Sequence, residues 1–195
     1  MDSLTPAQRH RCMSHIRSRD TKPELAVRQW LWRRGYRYRL NVKSVPGSPD
    51  IVLRTYRTAI FVNGCFWHGH NIVFEKPGVA SAAPTADAEN ETLAITDSQC
   101  CRIPKTNRDF WANKILRNCQ RDQHNYQLLA DNGWQVIVVW ECQLKPKLIE
   151  NTMRLVELRL NECFLAIHKQ KIRQYELDDA PLATAAESET QYGNS

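Results

Sequence analysis

Between residues 20 and 41 the spacing of apolar side chains changes period, and that change divides a helix from a strand. Leu25, Val27, Trp30 and Leu31 recur at helical intervals. They follow Asp20-Thr21-Lys22-Pro23-Glu24, which offers a capping side chain, a proline in the first turn and an acid favoured by the helix dipole. Gly35 ends that helix. Tyr36, Tyr38 and Leu40 then alternate with Arg37, Arg39 and Asn41, which predicts a strand with one face on the core. Pro46-Gly47-Ser48-Pro49 predicts a tight turn. Asp50 to Leu53 and Thr58 to Val62 predict paired strands joined around Arg54 to Arg57, with Asp50 at a strand mouth. Asn107 to Asp131 is the longest helical stretch, with Phe110, Ile115, Cys119, Tyr126 and Leu129 as its buried stripe and Gly133 as its stop. Trp134 to Trp140 is almost wholly apolar, the pattern of a central strand covered on both faces, and a last helix from about Ile149 to Gln170 would cover the sheet. The order helix, strand, hairpin, helix, strand, helix predicts an α/β sandwich around a mixed sheet.

One segment breaks the series. Residues 71–99 are rich in Ala, Pro, Thr, Asp and Glu with little periodicity, and they read as a flexible insertion in a loop. A chain of 195 residues with 42% hydrophobic content can bury one sizeable core. The expected organisation is a single domain over residues 1–175, opening on a basic segment 1–22, with an acidic, disordered tail over 176–195. The formal charge of +6 understates how basic the domain is. Five acids face Lys76 alone between Asn71 and Cys100, and five acids with no base lie between Glu176 and Ser195. The rest of the chain carries about +15, which suits a polyanionic partner such as nucleic acid. No run approaches the roughly 18 unbroken apolar residues of a membrane helix, and Met1 to Pro6 lacks a basic-then-apolar signal pattern. The expected protein is soluble, cytoplasmic and monomeric, with no membrane partner.

Without a secretory signal, seven cysteines point to metal binding before disulfides. Of Cys65, His70, Cys100 or Cys101, and Cys142, three positions lie just beyond strand ends, where loops can converge on one tetrahedral zinc; the alternative is a set of unconnected thiols. Cys12, Cys119 and Cys163 fall in helical surroundings and read as ordinary thiols. A second, acidic set joins Glu24, Asp50 and the Val62 region at one end of the sheet, where oxygen ligands would suit Mg²⁺; a helix-start Glu and a turn Asp are the plainer alternative. His68 is a candidate base for an attacking water, and equally a second zinc ligand or a solvated loop residue. Phe66 and Trp67 are consecutive loop aromatics able to wedge between bases, and Met13 and the Phe110-Trp111 pair could join them. Phe110 fits the helix's buried stripe, whereas Trp111 lies beside it and is freer to point outward. Arg9, Arg11, Arg17, Arg19 and Lys22 form a candidate phosphate clamp; Arg33, Arg34, Arg37 and Arg39 read as a solvated face.

The separated motifs Arg19-Asp20-Thr21, Pro46-Gly47-Ser48-Pro49-Asp50, Phe61-Val62-Asn63-Gly64-Cys65-Phe66-Trp67-His68-Gly69-His70, Pro104-Lys105-Thr106-Asn107, Phe110-Trp111 and Trp140-Glu141-Cys142 occur in this order. In them the chain resembles the very short patch repair, or Vsr, endonucleases, from about Met13 to Leu144. The resemblance implies a restriction-endonuclease-like, three-layer α/β fold with a central mixed sheet between helices. It implies Mg²⁺ on Asp50 and the Val62 main-chain carbonyl, His68 as general base and Glu24 in support. Structural zinc would sit on Cys65, His70, Cys142 and one of Cys100 and Cys101. Phe66, Trp67 and Trp111, with Met13, would intercalate beside a mismatch, with Arg17, Arg19 and Lys22 on the DNA. The implied activity is a Mg²⁺-dependent nick in double-stranded DNA, 5′ to the thymine of a T:G mismatch left by deamination of 5-methylcytosine, with mismatch-repair proteins as possible partners. The alternatives are a restriction-like nuclease acting on another lesion or sequence, and a zinc-containing DNA-binding module without catalysis. Two departures stand out: Asn63 occupies a position where some members carry a second active-site histidine, and Ile72 replaces an expected cysteine, so that Cys100 or Cys101 must supply the third thiolate.

Overall fold

The computed structural model describes residues 5–14, 19–75 and 94–178. Its elements are α1 (Pro6–Ser14), α2 (Lys22–Arg33), β1 (Ile51–Leu53), β2 (Thr58–Asn63), β3 (Val73–Glu75), β4 (Ala94–Thr96), α3 (Arg108–Asp131), β5 (Gln135–Trp140) and α4 (Ile149–Asp178). Short 3₁₀ turns at Arg54–Tyr56 and Glu141–Leu144 follow β1 and β5.

β2 is the middle of a three-stranded mixed sheet, antiparallel to β1 and parallel to β5. Alternation along these strands sends side chains to two separate cores. On one face Ile51, Leu53, Ile60 and Val139 meet Val27 and Leu31 of α2 and Met153, Val156 and Leu160 of α4. On the other, Val52, Ala59 and Phe61 meet Leu129 of α3. The protein is therefore a three-layer α/β sandwich, as expected. At the end of the sheet where the hairpin turns, Arg57 takes a left-handed conformation (φ 42°). Its guanidinium donates to the carbonyls of Asn132 (2.7 Å) and Gly133 (3.1 Å), neutralising the C-terminus of α3 just before β5 begins.

Four expectations need correction. The stretch from Tyr36 to Asn41 is not a strand: Arg39 makes a single bridge to Val52, and Asn41 (φ 50°) then turns the chain away. Tyr36 and Tyr38 do pack on the core, but Leu40 is exposed. β5 is an edge strand among the described residues, not a central one. Its apolar run reflects two covered faces, since Ile137 packs towards α4 and Val136 towards α3. The start of α2 lacks a conventional cap; the Thr21 side chain makes no capping bond, and Glu24 reaches back to accept from the Asp20 N–H at 3.0 Å. The last helix runs to Asp178, past the expected end.

The ends of segment 71–99 are paired: β3 and β4 form an antiparallel ladder with Val73 opposite Thr96. Residues 76–93 between them lie outside the described residues, as do Arg17 and tail residues 179–195; Met13 is described only as a backbone position in α1.

Candidate active site and metal cluster

β1 and β2 bring the acidic set together by backbone pairing alone. Asp50 precedes β1, and its Oδ2 accepts the N–H of Val62 on β2 at 2.7 Å. That bond fixes the carboxylate against the strand and leaves Oδ1 for another partner. Burial holds the Asp50 carboxyl above the usual carboxylate range; Glu24 adds to this, while the Val62 N–H, Arg28 and His68 oppose it. Glu24 is itself buried and fully engaged. Its Oε1 accepts from the Thr21 hydroxyl (2.8 Å), and its Oε2 accepts from Arg28 (2.8 Å) and the Asp20 N–H. Arg28 also pairs with Asp20. Glu24 is thus a neighbouring charge locked in a network, with no oxygen held free for a direct ligand bond.

After β2 the chain coils through Gly64 to His70, with His68 N–H bonded to Gly64 (3.2 Å) and His70 N–H to Cys65 (3.0 Å). α3 braces this loop along one face. Asn118 donates to the Trp67 carbonyl (2.9 Å), the Cys119 thiol meets the His68 carbonyl (3.3 Å), and Asp122 Oδ2 lies 2.5 Å from His68 Nδ1. Gly69 (φ +61°) is needed here, because a Cβ would lie 2.8 Å from Ile115 and 2.9 Å from Cys119. Asp122 fixes the imidazole so that Nε2 is the nitrogen left for other chemistry. Asp50, Glu24, Val62, Asn63, His68 and Asp122 all border one cleft of about 530 Å³. Asp122 is not among the candidate residues drawn from the sequence. Its signal was present, an acid at position 122 within the apolar stripe 115, 119, 126 and 129 of α3.

On the other side of the same loop, Cys65, His70, Cys100 and Cys142 place their donor atoms within 4.8 Å of one another. His70 Nδ1 is 3.7 Å from the Cys65 sulfur, 3.1 Å from Cys100 and 3.3 Å from Cys142. Tetrahedral bonds of about 2.0–2.3 Å set donors roughly 3.5 Å apart, so the spacing fits zinc. The protonation chemistry fits as well. Burial pushes the Cys65 thiol up to about 12, so that a cation is needed to hold it as thiolate, and burial lowers His70, favouring the neutral imidazole that ligates. The His70 ring is stacked on Trp140 at 4.0 Å. His68 belongs to the cleft and is not part of this cluster.

The β3–β4 ladder explains how the insertion is accommodated. Pairing returns the chain beside Ile72, and Ser98 then donates to the His70 carbonyl (2.6 Å) and accepts the Cys101 N–H (3.0 Å). Cys100 is thereby turned into the cluster. Cys101 is not: it is buried, its sulfur lies 3.7 Å from the Phe66 carbonyl, and burial raises it to about 11.

Phe66, Trp67 and Trp111 contact one another edge to face, with centroids 5.1 to 6.0 Å apart. Lys114 Nζ stands 5.5 to 5.8 Å from the rings of Trp67, Phe110 and Trp111. The expected roles of Phe110 and Trp111 are reversed. Phe110 is 55% exposed, while Trp111 is half-buried against Phe66, because the stripe of α3 is phased on Ala112 and Ile115. Arg19 and Lys22 are exposed near the cleft's entrance strand of chain, beside Thr21 and Pro23 of its rim.

A family model described as DNA mismatch endonuclease Vsr matches residues 1–73. The chain is 42% identical over 159 residues to the type II nicking enzyme V.NmeAIP of Neisseria meningitidis, covering 80% of this chain and 94% of that protein. It is 40% identical over 146 residues to the type II nicking enzyme V.XorIIP of Xanthomonas oryzae, covering 73% and 86%. It is 33% identical over 141 residues to the DNA mismatch endonuclease Vsr of Escherichia coli, covering 72% and 74%.

Proposed function

Since this chain belongs to the Vsr family and is a DNA endonuclease of restriction-endonuclease-like fold, we propose that it nicks double-stranded DNA 5′ to the thymine of a T:G mismatch. The observation that carries this reading is the convergence of Asp50, the Val62 backbone and the Asp122-braced His68 on one cleft, with an aromatic cluster on the same loop.

In this mechanism the free oxygen of Asp50 and the Val62 carbonyl are the donors for Mg²⁺, which when bound supplies positive charge against the phosphate in the transition state. His68 does the proton work. With Nδ1–H given to Asp122, Nε2 takes a proton from water as its oxygen forms a bond to phosphorus, and the bond from phosphorus to the leaving oxygen breaks. Glu24 supports the site by its field and its hold on the start of α2. Phe66, Trp67 and Trp111 insert into the stack beside the mismatch, Met13 and Arg17 join from the N-terminal segment, and Arg19 and Lys22 meet phosphates. Cys65, His70, Cys100 and Cys142 hold structural zinc, which ties the end of the insertion to the loop bearing His68.

A second reading is favoured by the identities of 42% and 40% to type II nicking enzymes: the same centre nicks DNA at another lesion or sequence. The two readings agree on chemistry and differ in the DNA that is cut. End-labelled duplexes carrying T:G in varied contexts, every other mismatch, and matched T:A, incubated with Mg²⁺, test both. Nicking confined to T:G supports the proposal, and equal cutting of matched DNA overturns it.

A further inference from the structure

Tyr126 lies outside every motif that marks the site, yet it touches the site directly. It is one helical turn beyond Asp122 on the same face of α3. Its ring packs on Phe61 with centroids 4.9 Å apart, and its hydroxyl is 3.0 Å from Asn63 Nδ2. Asn63 is a buried polar residue, 4% exposed, and it immediately follows Val62, whose N–H holds Asp50. A buried amide is costly unless its groups are partnered. Here Tyr126 engages one side of the amide, and the residue also borders the cleft shared by Asp50 and His68. A primary amide carries two N–H groups. With one directed to a phenol fixed on a rigid helix, the other is restricted to the remaining direction. Burial pushes the Tyr126 hydroxyl up to about 12, so it keeps its proton at working pH and repels neither Asp50 nor Asp122.

Resting on the nicking reading above, we propose that Tyr126 is a positioning residue: it orients the Asn63 amide so that a neutral N–H faces a non-bridging oxygen of the scissile phosphate. α3 would then align the reacting groups through two successive side chains, Asp122 for the base and Tyr126 for the phosphate donor. A neutral donor suits this place, next to Asp50 and Glu24, because it does not compete with a cation for the carboxylate.

Single-turnover nicking of a T:G duplex by Asn63→Ala, Asn63→Asp, Tyr126→Phe and the Asn63→Ala/Tyr126→Phe double variant tests this. Loss of one oriented donor is expected to slow the chemical step about 10²-fold in Asn63→Ala. Asn63→Asp is isosteric and can still accept a hydrogen bond from Tyr126, so near wild-type nicking by this variant excludes a phosphate-facing N–H. A carboxylate beside Asp50 slows nicking by its charge alone, so the positioning role is read from the Tyr126→Phe cycle, and Asn63→Asp serves only to overturn it. Tyr126→Phe keeps the ring on Phe61 and is expected to lose about 10-fold in rate at saturating enzyme, with DNA affinity unchanged and no further loss in the double variant. Additive losses, or Asn63→Asp within 3-fold of wild type, overturn the proposal while leaving the nicking assignment intact. A wild-type protein that nicks no T:G duplex removes the nicking assignment, and this proposal with it.

Discussion

The loop from Gly64 to His70 has two sides that handle charge in opposite ways. On the cleft side each group is anchored by the protein itself: Asp50 by the Val62 N–H, His68 by Asp122, and Asn63 by Tyr126. On the other side burial keeps the Cys65 thiol protonated up to about 12, and Cys65, His70, Cys100 and Cys142 have chiefly one another as partners. The cleft groups are held by hydrogen bonds from the protein, while the cluster rests as neutral thiol and imidazole at Cys65 and His70 unless a cation draws off the proton. On the proposed reading the first side serves chemistry and the second folding, and each can be broken separately.

The largest effect is expected from Asp50→Ala, which removes the cleft carboxylate that is anchored on β2 through one oxygen and leaves the other for a cation. Single-turnover nicking should fall by at least about 10³-fold with the fold intact by circular dichroism. Cys142→Ala should do the reverse. It leaves the cleft residues unchanged but removes one proposed zinc ligand, so zinc content measured by mass spectrometry should drop below one per chain and the thermal transition should fall or broaden. Full zinc retention there would dissolve the contrast. Asp122→Asn should cost about 10²- to 10⁴-fold in rate by presenting the wrong partner to His68, with little change in DNA affinity.

A smaller prediction concerns stability alone. Burial raises the Asp50 carboxyl in the fold, so folding opposes its ionisation; the resulting penalty is absent at low pH and grows as pH rises through the raised range. Asp50→Asn should therefore raise the melting temperature of the Mg²⁺-free protein by about 2–4 °C at neutral pH, and the gain should shrink on acidification. A lower melting temperature at neutral pH would show that Asp50 is held as a stabilising anion instead.

Much of this arrangement was legible in the chain. Local periodicity located α2, the β1–β2 hairpin, α3 and β5, since each buries a face whose pattern repeats within a few residues. Sheet order was not legible. The run from Trp134 to Trp140 records that both faces of β5 are covered, and an edge strand between α3 and α4 satisfies that as well as a central one. The sequence also left Cys100 and Cys101 equivalent. The choice is made by Ser98 and the β3–β4 register, a pairing across an insertion that carries little periodicity. Phe110 and Trp111 were exchanged because Phe110 lies five residues before Ile115, about 140° around the helix from it, whereas Trp111 lies four before it, on the side of the stripe. Asp122 was visible as an acid on an apolar face, but nothing in the sequence said which loop would come to meet it.

On the proposed reading, Asp50 and His68 act on a scissile phosphate beside a mismatched thymine. The most direct measurement is single-turnover cleavage of a duplex containing one T:G pair, labelled separately on each strand, with and without Mg²⁺. One product is expected, cut in the thymine strand immediately 5′ to the mismatched thymine and appearing only with the ion. Cleavage of both strands, a cut elsewhere, or an equal yield in chelator would contradict that reading.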